Sequence, residues 1–271
     1  GLTQEEISNR LGISRPTIGR YLQRARTECI VHIEIKSPLS FCAELETQLE
    51  AAFHLSEAIV VAPPVEGEDA LKMALGEAAA EFIERRVQTG DVIGVSWSST
   101  VLQCAVRLRK MNTSRISVVQ MNGSLDRANY STRAEYIVER FAQAFNARSM
   151  TLVAPLLLDR PDIKSSLMSD SHINAALELA KKASIAVYGV GEISERSSLY
   201  KTGYMNPELL GELLASGAVG DICGHFFNIQ GNICLPHVEN RTLAIDLDSL
   251  KKIPVCMAVA GGISKKSAIL G

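Results

Sequence analysis

The chain has 271 residues, of which 46% are hydrophobic, and its formal net charge is −2 at pH 7. This length and composition suit a small head and one sizeable α/β domain, and they exclude an intrinsically disordered activator. Because the chain as a whole is nearly neutral, any affinity for nucleic acid has to come from a local basic stretch.

The cysteines and the chain ends give further expectations. The six cysteines are scattered without CxxC spacing, which argues against a zinc ribbon or a disulfide framework and indicates reduced thiols. The sequence has neither an apolar run of about 18 residues nor a signal peptide. We therefore predict a cytoplasmic protein with no membrane partner, no metal and no other cofactor. Because it begins without an initiator Met and stops at an incipient helix, we expect a fragment that is incomplete at both ends.

The first 26 residues contain two short helical patterns that meet at a corner. Thr3 is the expected N-cap of the first helix, and Glu6 is its capping-box partner. Gly12 can take the left-handed conformation that ends a helix, and Ser14 can cap a second helix through its side chain. We predict a helix-turn-helix whose corner is three or four residues long.

The second predicted helix has one apolar face and one positively charged face. Ile18, Leu22 and Ala25 lie on the packing face, and no acidic residue occurs between residues 10 and 26. Basic helix faces are often only solvated surface. Here, however, an N-cap, a tight corner and a positive first turn come in the order typical of a helix that enters a major groove. Gly19 either allows close approach to the DNA backbone or only weakens the helix. The predicted DNA-contacting residues are Arg15, Pro16, Thr17, Arg20, Tyr21 and Arg24.

The chain beyond this helix divides into a strand, a connecting helix and a larger domain. Residues 29–35 alternate apolar and polar side chains, which predicts a short strand that could form a wing of the head. Residues 41–53 carry apolar side chains at every fourth position, which predicts a connecting helix that could also pair with a partner subunit. We place a DNA-binding domain at 1–37, the connecting helix at 38–56 and an effector domain at 57–271.

From residue 57 onward, short apolar runs alternate with amphipathic helices. The predicted strands are residues 58–62, 91–96, 115–121, 149–154, 184–190, 242–247 and 254–260, and the predicted helices are residues 69–86, 99–110, 132–145, 172–182 and 207–215 with an incipient one from residue 264. Strands that are apolar on both faces and separated by helices imply a mainly parallel sheet covered on each side, a three-layer α/β architecture. In such sheets ligands bind beyond the carboxyl ends of the strands.

Hydroxyl groups cluster where the second predicted strand turns into a helix. Ser96, Ser98, Ser99 and Thr100 lie in the sequence GVSWSST. Their hydroxyl groups and the amides of the helix N-terminus predict a seat for a phosphate. Ordinary N-capping by Ser98 or Ser99 is the alternative interpretation.

Other strand exits carry glycines and a few polar side chains. Glycine indicates a place where a ligand or a neighbouring backbone comes close. Lys265 could add a positive charge to a bound phosphate, or it could be plain surface charge. Asp221 could accept hydrogen bonds from sugar hydroxyls, or it could only cap a turn. The predicted ligand-binding residues in these segments are Asn122, Gly123, Ser124, Gly189, Gly191, Asp221, Gly261, Gly262 and Lys265.

Four stretches of the chain carry a family resemblance. They are LTQEEISNRLGISRPTIGRYLQRAR at the head, GDVIGVSWSST, SGAVGDICGHFFN, and IPVCMAVAGGISKKSAI at the end. Together they resemble the SorC family of sugar-responsive transcriptional regulators, within the SorC/DeoR group. The resemblance implies a DNA-binding domain joined to an effector domain with the fold of glucosamine-6-phosphate deaminase and ribose-5-phosphate isomerase. It also implies a tetramer on operator DNA that responds to a phosphorylated sugar or polyol.

The same resemblance implies residue roles and shows two departures. It implies that Ser98, Ser99 and Thr100 hold phosphate, that residues 122–124 line the pocket, that Asp221 meets hydroxyl groups and that Lys265 closes on the anion. Some members carry a lysine where this chain has Asn122 and bind an aldehyde sugar covalently. Because asparagine has no nucleophilic amine, we expect noncovalent binding here. Ser99 stands where relatives often have an arginine, and this removes a bidentate phosphate donor.

Two enzyme classes are the alternatives. A sugar-phosphate isomerase or deaminase would need a positioned general base and a second acid group, and the SERSSL sequence after residue 193 lacks the Asp-Gly-His constellation of the deaminases. His225 lies beside Phe226 and Phe227, which fits a packed or solvent-facing role better than catalysis. A carbohydrate kinase would want a GxxxxGK loop, which the sequence lacks. We therefore predict a regulator without catalytic residues.

Overall fold

The computed structural model describes residues 3–27, 42–63, 65–124 and 134–271. The chain divides into two compact units, Gly1–Phe41 and Cys42–Gly271. The strand predicted at residues 29–35 lies outside the described residues. The domain boundaries at residues 37 and 56 stay a prediction.

In the first unit, two helices are joined by a tight turn. Helix α1 spans Gln4–Leu11, and helix α2 spans Arg15–Thr27. The capping box is confirmed, because the Thr3 amide donates to the Glu6 carboxylate over 2.7 Å and the Thr3 hydroxyl accepts from the Glu6 amide. Gly12 follows α1 with a φ of 64°, a left-handed conformation that glycine adopts without steric cost.

Helix α2 differs in detail from the expectation. The backbone oxygen of Ser14 accepts from the amides of Thr17 and Ile18, while its hydroxyl is hydrogen-bonded to the Thr17 hydroxyl over 2.9 Å. Ile18 is buried and Ala25 is half-buried, but Leu22 is 41% exposed. The buried face of α2 is therefore narrower than the sequence periodicity predicts.

The second unit holds two sheets and most of the helices. Its strands are β1 Val92–Val95, β2 Ser117–Gln120, β3 Arg148–Met150, β4 Ile185–Gly189, β5 Gly191–Glu192, β6 Ala218–Ile222, β7 His225–Asn228 and β8 Val255–Val259. Its helices are α3 Ala43–Phe53, α4 Glu68–Arg86, α5 Ser99–Arg107, α6 Ala134–Ala144, α7 Pro161–Met168, α8 Ser171–Lys181, α9 Ser198–Lys201, α10 Pro207–Ala215, α11 Pro236–Glu239, α12 Leu247–Leu250 and α13 Lys266–Leu270. A short 3-10 helix, Ile263–Lys265, precedes α13.

The larger sheet is parallel throughout, in the order β3-β2-β1-β4-β8. Successive strand residues enter different cores, because side chains alternate across a sheet. Val118 and Val187 join a core with Phe141, whereas Val119 and Ala186 join another core with residues of α8. Both faces are therefore covered, and the prediction of a mixed α/β unit with a mainly parallel sheet is confirmed. Strands β5, β6 and β7 form a separate antiparallel sheet.

Two predicted strands are wrong. Within the part of the chain that the structure describes, residues 58–62 form no strand of either sheet, and the amides of Ala58 and Val60 instead donate to the carboxylates of Glu50 and Glu46 on α3 over 2.9 and 2.8 Å. The described pairings of residues 242–247 are single bridges, one of which joins Ala244 to Asn122. Within the described residues, no helix is both long and apolar enough to cross a membrane.

Candidate functional site

Four neighbouring strands end at the same edge of the parallel sheet. The exits of β1, β2, β4 and β8 carry most of the predicted ligand-binding residues, since parallel strands present their carboxyl ends together. The exits of β1 and β4 lie in contact: a Cβ atom at Gly189 would come within 2.7 Å of the Ser98 hydroxyl oxygen. Gly189 thus provides the space for the polar turn after β1.

The hydroxyl groups after β1 have different surroundings. The Ser98 hydroxyl accepts from the Val101 amide over 3.0 Å and caps α5, as the capping interpretation expects. Ser96 and Thr100 are buried, and Ser99 is half-buried. Ser98 is half-buried like Ser99, so these two hydroxyl groups are the more accessible members of the group.

Ser96 also touches the turn between β6 and β7. Burial and the nearby Asp221 carboxylate raise the pKa of the Cys223 thiol to about 12, while a hydrogen bond with Ser96 opposes the shift. The thiol is therefore protonated at neutral pH and acts as a packing group. This contact joins the antiparallel sheet to the exit of β1.

The exit of β2 contains a buried polar side chain. Asn122 is 2% exposed, and no described group forms a hydrogen bond with its Oδ1 atom. A buried amide oxygen without a partner is energetically costly in a folded protein. Asn122 therefore offers an unused acceptor at the sheet edge.

The residues after Asn122 are held tightly by their neighbours. The Gly123 amide donates to the Leu243 oxygen over 2.9 Å, and a Cβ atom at Gly123 would lie 2.5 Å from the Pro155 oxygen. The Ser124 hydroxyl accepts from the buried Gln120 side chain over 3.1 Å. Close backbone packing thus explains why this loop uses glycine.

The antiparallel sheet brings Asp221 to the exit of β4. Asp221 on β6 pairs with Gly191 on β5, and any side chain at Gly191 would overlap the Asp221 carboxylate. Burial raises the pKa of Asp221 to about 6, although the Gly224 amide and the charges of Lys265 and His225 act in the opposite direction. The carboxylate is therefore a desolvated acceptor beside the strand end.

Lys265 approaches the same place from the exit of β8. Its Nζ atom donates to the Val190 oxygen over 2.7 Å. Burial lowers its pKa, while the carboxylates of Asp221 and Glu192 counteract this shift. The preceding Gly261 allows the turn to pack against α4, since a Cβ atom there would lie 2.8 Å from a Leu75 methyl carbon.

The sequence interpretation missed two side chains near this edge. The Trp97 indole donates to the Gly123 oxygen over 2.8 Å, and Lys72 on α4 is ion-paired with Glu68. Trp97 stands within the GVSWSST motif, so its position was a signal. Lys72 and Glu68 look in sequence like an ordinary helix-surface pair, which is why periodicity alone does not reveal them.

His225 is packed into the structure, in agreement with the packed role considered above. It is 2% exposed, its Nδ1 lies 2.9 Å from the Glu239 carboxylate, and its Nε2 lies 2.9 Å from the Ile245 oxygen. Both ring nitrogens therefore have a hydrogen-bond partner within the protein. His225 thus joins β7 to the segment that holds the β2 exit.

Two cavities lie elsewhere in the second unit. One is lined by apolar residues that include Leu156, Met205 and Phe226, and the other is an open groove beside α7 and α8. Neither lining contains a predicted ligand-binding residue. In the described ranges, no group of three His, Cys, Asp or Glu side chains could hold a metal ion.

Comparison with known proteins identifies the family. Residues 37–271 match the family model described as "Putative sugar-binding domain". The chain belongs to the SorC family of sugar-binding transcriptional regulators. The resemblance that the sequence motifs indicated is therefore confirmed.

Individual SorC relatives align along nearly the whole chain. The deoxyribonucleoside regulator of Bacillus subtilis (strain 168) is 34% identical over 99% of this chain and 86% of its own length. The sorbitol operon regulator of Klebsiella pneumoniae is 29% identical over 100% of this chain and 86% of its own. The crystal structure of full-length SorC from the same organism superposes with a TM-score of 0.83 at 29% identity, covering 100% of this chain and 87% of that one. These relatives are named as regulators, which does not favour the enzyme alternative.

Proposed function

We propose that this SorC-family protein binds operator DNA through α1 and α2 and that its DNA affinity is controlled by a phosphorylated sugar or polyol. One observation carries the ligand half of the proposal: the Asp221 carboxylate on β6 and the Lys265 ammonium in the 3-10 helix after β8 lie close enough for the charge of each to affect the pKa of the other. A carboxylate accepts hydrogen bonds from hydroxyl groups, and an ammonium donates to phosphate.

The remaining edge residues fit the same kind of ligand. The unpartnered Oδ1 atom of Asn122 can accept a hydrogen bond from a ligand hydroxyl. The asparagine side chain has no amine with which to form a Schiff base. The Ser99 hydroxyl and the start of α5 can donate to an anion. We therefore propose a noncovalent site made of the exits of β1, β2, β4 and β8, including Gly189, Gly191, Gly261 and Gly262 as the places of close approach.

The DNA-binding half rests on the first unit and on the names of the relatives. Helices α1 and α2, joined at Gly12, have the helix-turn-helix arrangement. Arg15, Arg20 and Tyr21 are exposed on α2, where they can reach phosphates and base edges. With Pro16, Thr17 and Arg24, they form the proposed DNA-contacting surface of a cytoplasmic regulator.

The regulation we propose is thermodynamic linkage. An effector that binds one assembly state more tightly than another shifts the equilibrium between them, and operator affinity changes by the same coupling free energy. We propose a tetramer as the assembly and an effector unit related to the glucosamine-6-phosphate deaminase and ribose-5-phosphate isomerase fold. The packing of His225 between two acceptors leaves it no free nitrogen for acid-base catalysis.

The decisive experiment is a ligand screen followed by DNA binding. Pentose, hexose and polyol phosphates are tested with their unphosphorylated counterparts for a rise in melting temperature, and each hit is then added to a DNA-binding assay. We expect a phosphorylated compound to raise the melting temperature and to change DNA affinity. Appreciable isomerase or deaminase turnover with any of these compounds would instead establish the enzyme alternative.

A further inference from the structure

The first turns of α4 lie against the glycine turn that precedes Lys265. A Cβ atom at Gly261 would approach Leu75 to 2.8 Å and Leu71 to 3.3 Å, and one at Gly262 would lie 3.9 Å from Leu71. The turn can therefore follow the helix surface closely only because it is made of glycine. Lys72 follows Leu71 on α4, and its ammonium is close enough to Lys265 for its charge to affect the pKa of that lysine.

Lys72 is more buried than its ion-pair partner. Its Nζ atom lies 2.5 Å from the Glu68 carboxylate, and the exposed fractions of the two side chains are 26% for Lys72 and 80% for Glu68. The glutamate is thus the outer, solvent-facing member of the pair. An exposed pair of this type contributes little to folding stability and can be exchanged at small cost.

The charges around Lys72 form one connected group. The hydrogen bond and the charge of Lys72 lower the pKa of Glu68, and Lys201 and Lys265 add to this effect. The pKa of Lys265 is in turn affected by the charges of both Lys72 and Glu68. Three ammonium groups therefore share a region in which Glu68 supplies a nearby negative charge.

Lys265 keeps donors for a ligand. An ammonium carries three N–H groups, and in the described structure Lys265 makes one hydrogen bond, to the Val190 oxygen over 2.7 Å. Lys72 has its partner in Glu68, a side chain that is 80% exposed to solvent. A phosphate that contacts both lysines would gain two charge-assisted hydrogen bonds.

We propose that Lys72 is an anion-binding residue of the effector site and that Glu68 occupies it until the phosphate group of the effector displaces the carboxylate. This inference rests on the proposed function and specifies the ligand as a dianion. The first turn of α5 contains no basic residue, and Lys72 would supply a positive charge to the site from α4.

Inorganic phosphate is the probe that isolates this contact. Its affinity is measured by calorimetry for the wild-type chain, Lys72→Met and Glu68→Gln, with chloride used to match ionic strength. We expect Lys72→Met to weaken phosphate binding about tenfold, because one charge-assisted contact is lost. We expect Glu68→Gln to strengthen it about threefold, because the competing carboxylate is removed.

The control variant is Lys182→Met, which removes an exposed lysine outside the group and should bind phosphate like the wild type. Melting temperatures without phosphate should be equal in all four proteins. Unchanged phosphate affinity in Lys72→Met would overturn the inference and leave the proposed function intact. Unchanged affinity in Glu68→Gln would overturn the displacement step. A wild-type protein that binds neither phosphate nor any sugar phosphate would overturn the proposed function itself.

Discussion

The indole Nε1 atom of Trp97 donates a 2.8 Å hydrogen bond to the backbone oxygen of Gly123. Trp97 follows β1 and Gly123 follows β2, so this buried bond ties together two neighbouring strand exits at the proposed effector site. Trp97 is also the only tryptophan in the sequence. Its fluorescence therefore reports on this edge of the sheet alone.

We expect effector binding to change the emission of Trp97, because a ligand that contacts the loop at residues 122–124 alters the surroundings of the indole. The measurement is a fluorescence titration with any compound that raises the melting temperature. Trp97→Phe should lose the signal, and it should be destabilised by about 1–3 kcal/mol because the Gly123 oxygen loses its partner. A ligand that stabilises the protein without changing the emission would contradict binding at this edge.

Asp221→Asn should stabilise the ligand-free protein at neutral pH. Burial raises the pKa of Asp221 to about 6 from an ordinary value of 3.8. Between pH 3.8 and pH 6, Asp221 is therefore protonated in the folded state but ionised in the unfolded state. Stability therefore falls as pH rises through this window, and the full cost, at most about 3 kcal/mol, is present above pH 6. Asparagine removes the cost, which is measurable as a higher unfolding free energy at pH 7.5 but not at pH 3.5.

The same variant should lose its response to the effector. A carboxylate accepts from hydroxyl groups more strongly than an amide oxygen does, so we expect at least a tenfold weaker affinity. In the wild type, the affinity should also decrease as pH falls below about 6, where Asp221 becomes protonated. A stabilised Asp221→Asn protein that binds the effector as well as the wild type would show that the sugar lies elsewhere.

Local sequence signals predicted those features that depend on neighbouring residues. The Thr3 and Glu6 capping box and the left-handed Gly12 follow from chemistry within one helix turn. The parallel sheet follows from alternating strands and helices. The strand at residues 58–62 was wrong because an apolar run does not reveal that distant carboxylates, those of Glu46 and Glu50, take up its backbone amides.

The loops of the candidate site could be predicted from the sequence, but the contacts between those loops and other elements could not. Glycine and hydroxyl residues mark the strand exits in the sequence, so Ser98, Gly123 and Gly261 could be placed at one edge of the parallel sheet. The partners that complete the site come from helices and from the second sheet, and their approach depends on three-dimensional packing. Asn122 was predicted from the sequence, but the missing partner of its Oδ1 atom and the place of Lys72 became apparent only from burial and hydrogen bonding.

Gly191→Ala and Gly211→Ala form a matched pair. A methyl group at Gly191 would overlap the Asp221 carboxylate, whereas nothing lies within 4 Å of the corresponding position at Gly211 in α10. We expect Gly191→Ala to destabilise the fold by about 1–3 kcal/mol. Gly211→Ala should stabilise it by about 0.5–1 kcal/mol, because alanine favours a helix. Equal denaturation midpoints for the two variants would contradict the close packing of Gly191 on Asp221.

Glu239→Gln should destabilise the protein by about 2–4 kcal/mol, because it removes the carboxylate partner of the buried His225 side chain. Burial alone would raise the pKa of Glu239, but the hydrogen bond and charge of His225 outweigh it and lower the pKa. Because the pKa of Glu239 is lowered in the folded state, its carboxylate stabilises the fold at pH values above its ordinary pKa of 4.5. This stabilisation is lost as the pH falls through the pKa of the folded state. Urea unfolding between pH 7 and pH 3 should therefore show the two proteins converging in acid, and a constant difference would contradict the ion pair.

Arg20→Ala tests the DNA-binding half of the proposal. Arg20 is exposed on α2, and its Nη2 atom reaches the Thr17 hydroxyl only at 3.4 Å, so its removal should leave the melting temperature unchanged. A bidentate contact with a base would make the variant bind operator DNA about 1–3 kcal/mol more weakly. A phosphate contact would instead reduce the slope of log affinity against log salt by about 1.

Measuring operator binding at several salt concentrations separates these two contacts, with Lys182→Ala as the control that should match the wild type. A loss confined to the correct operator sequence assigns Arg20 to base recognition, because phosphates carry no sequence information. A loss shared by unrelated duplexes assigns it to the DNA backbone. If neither the affinity nor the salt slope changes, α2 does not present Arg20 to DNA, and the recognition surface proposed for this helix is wrong.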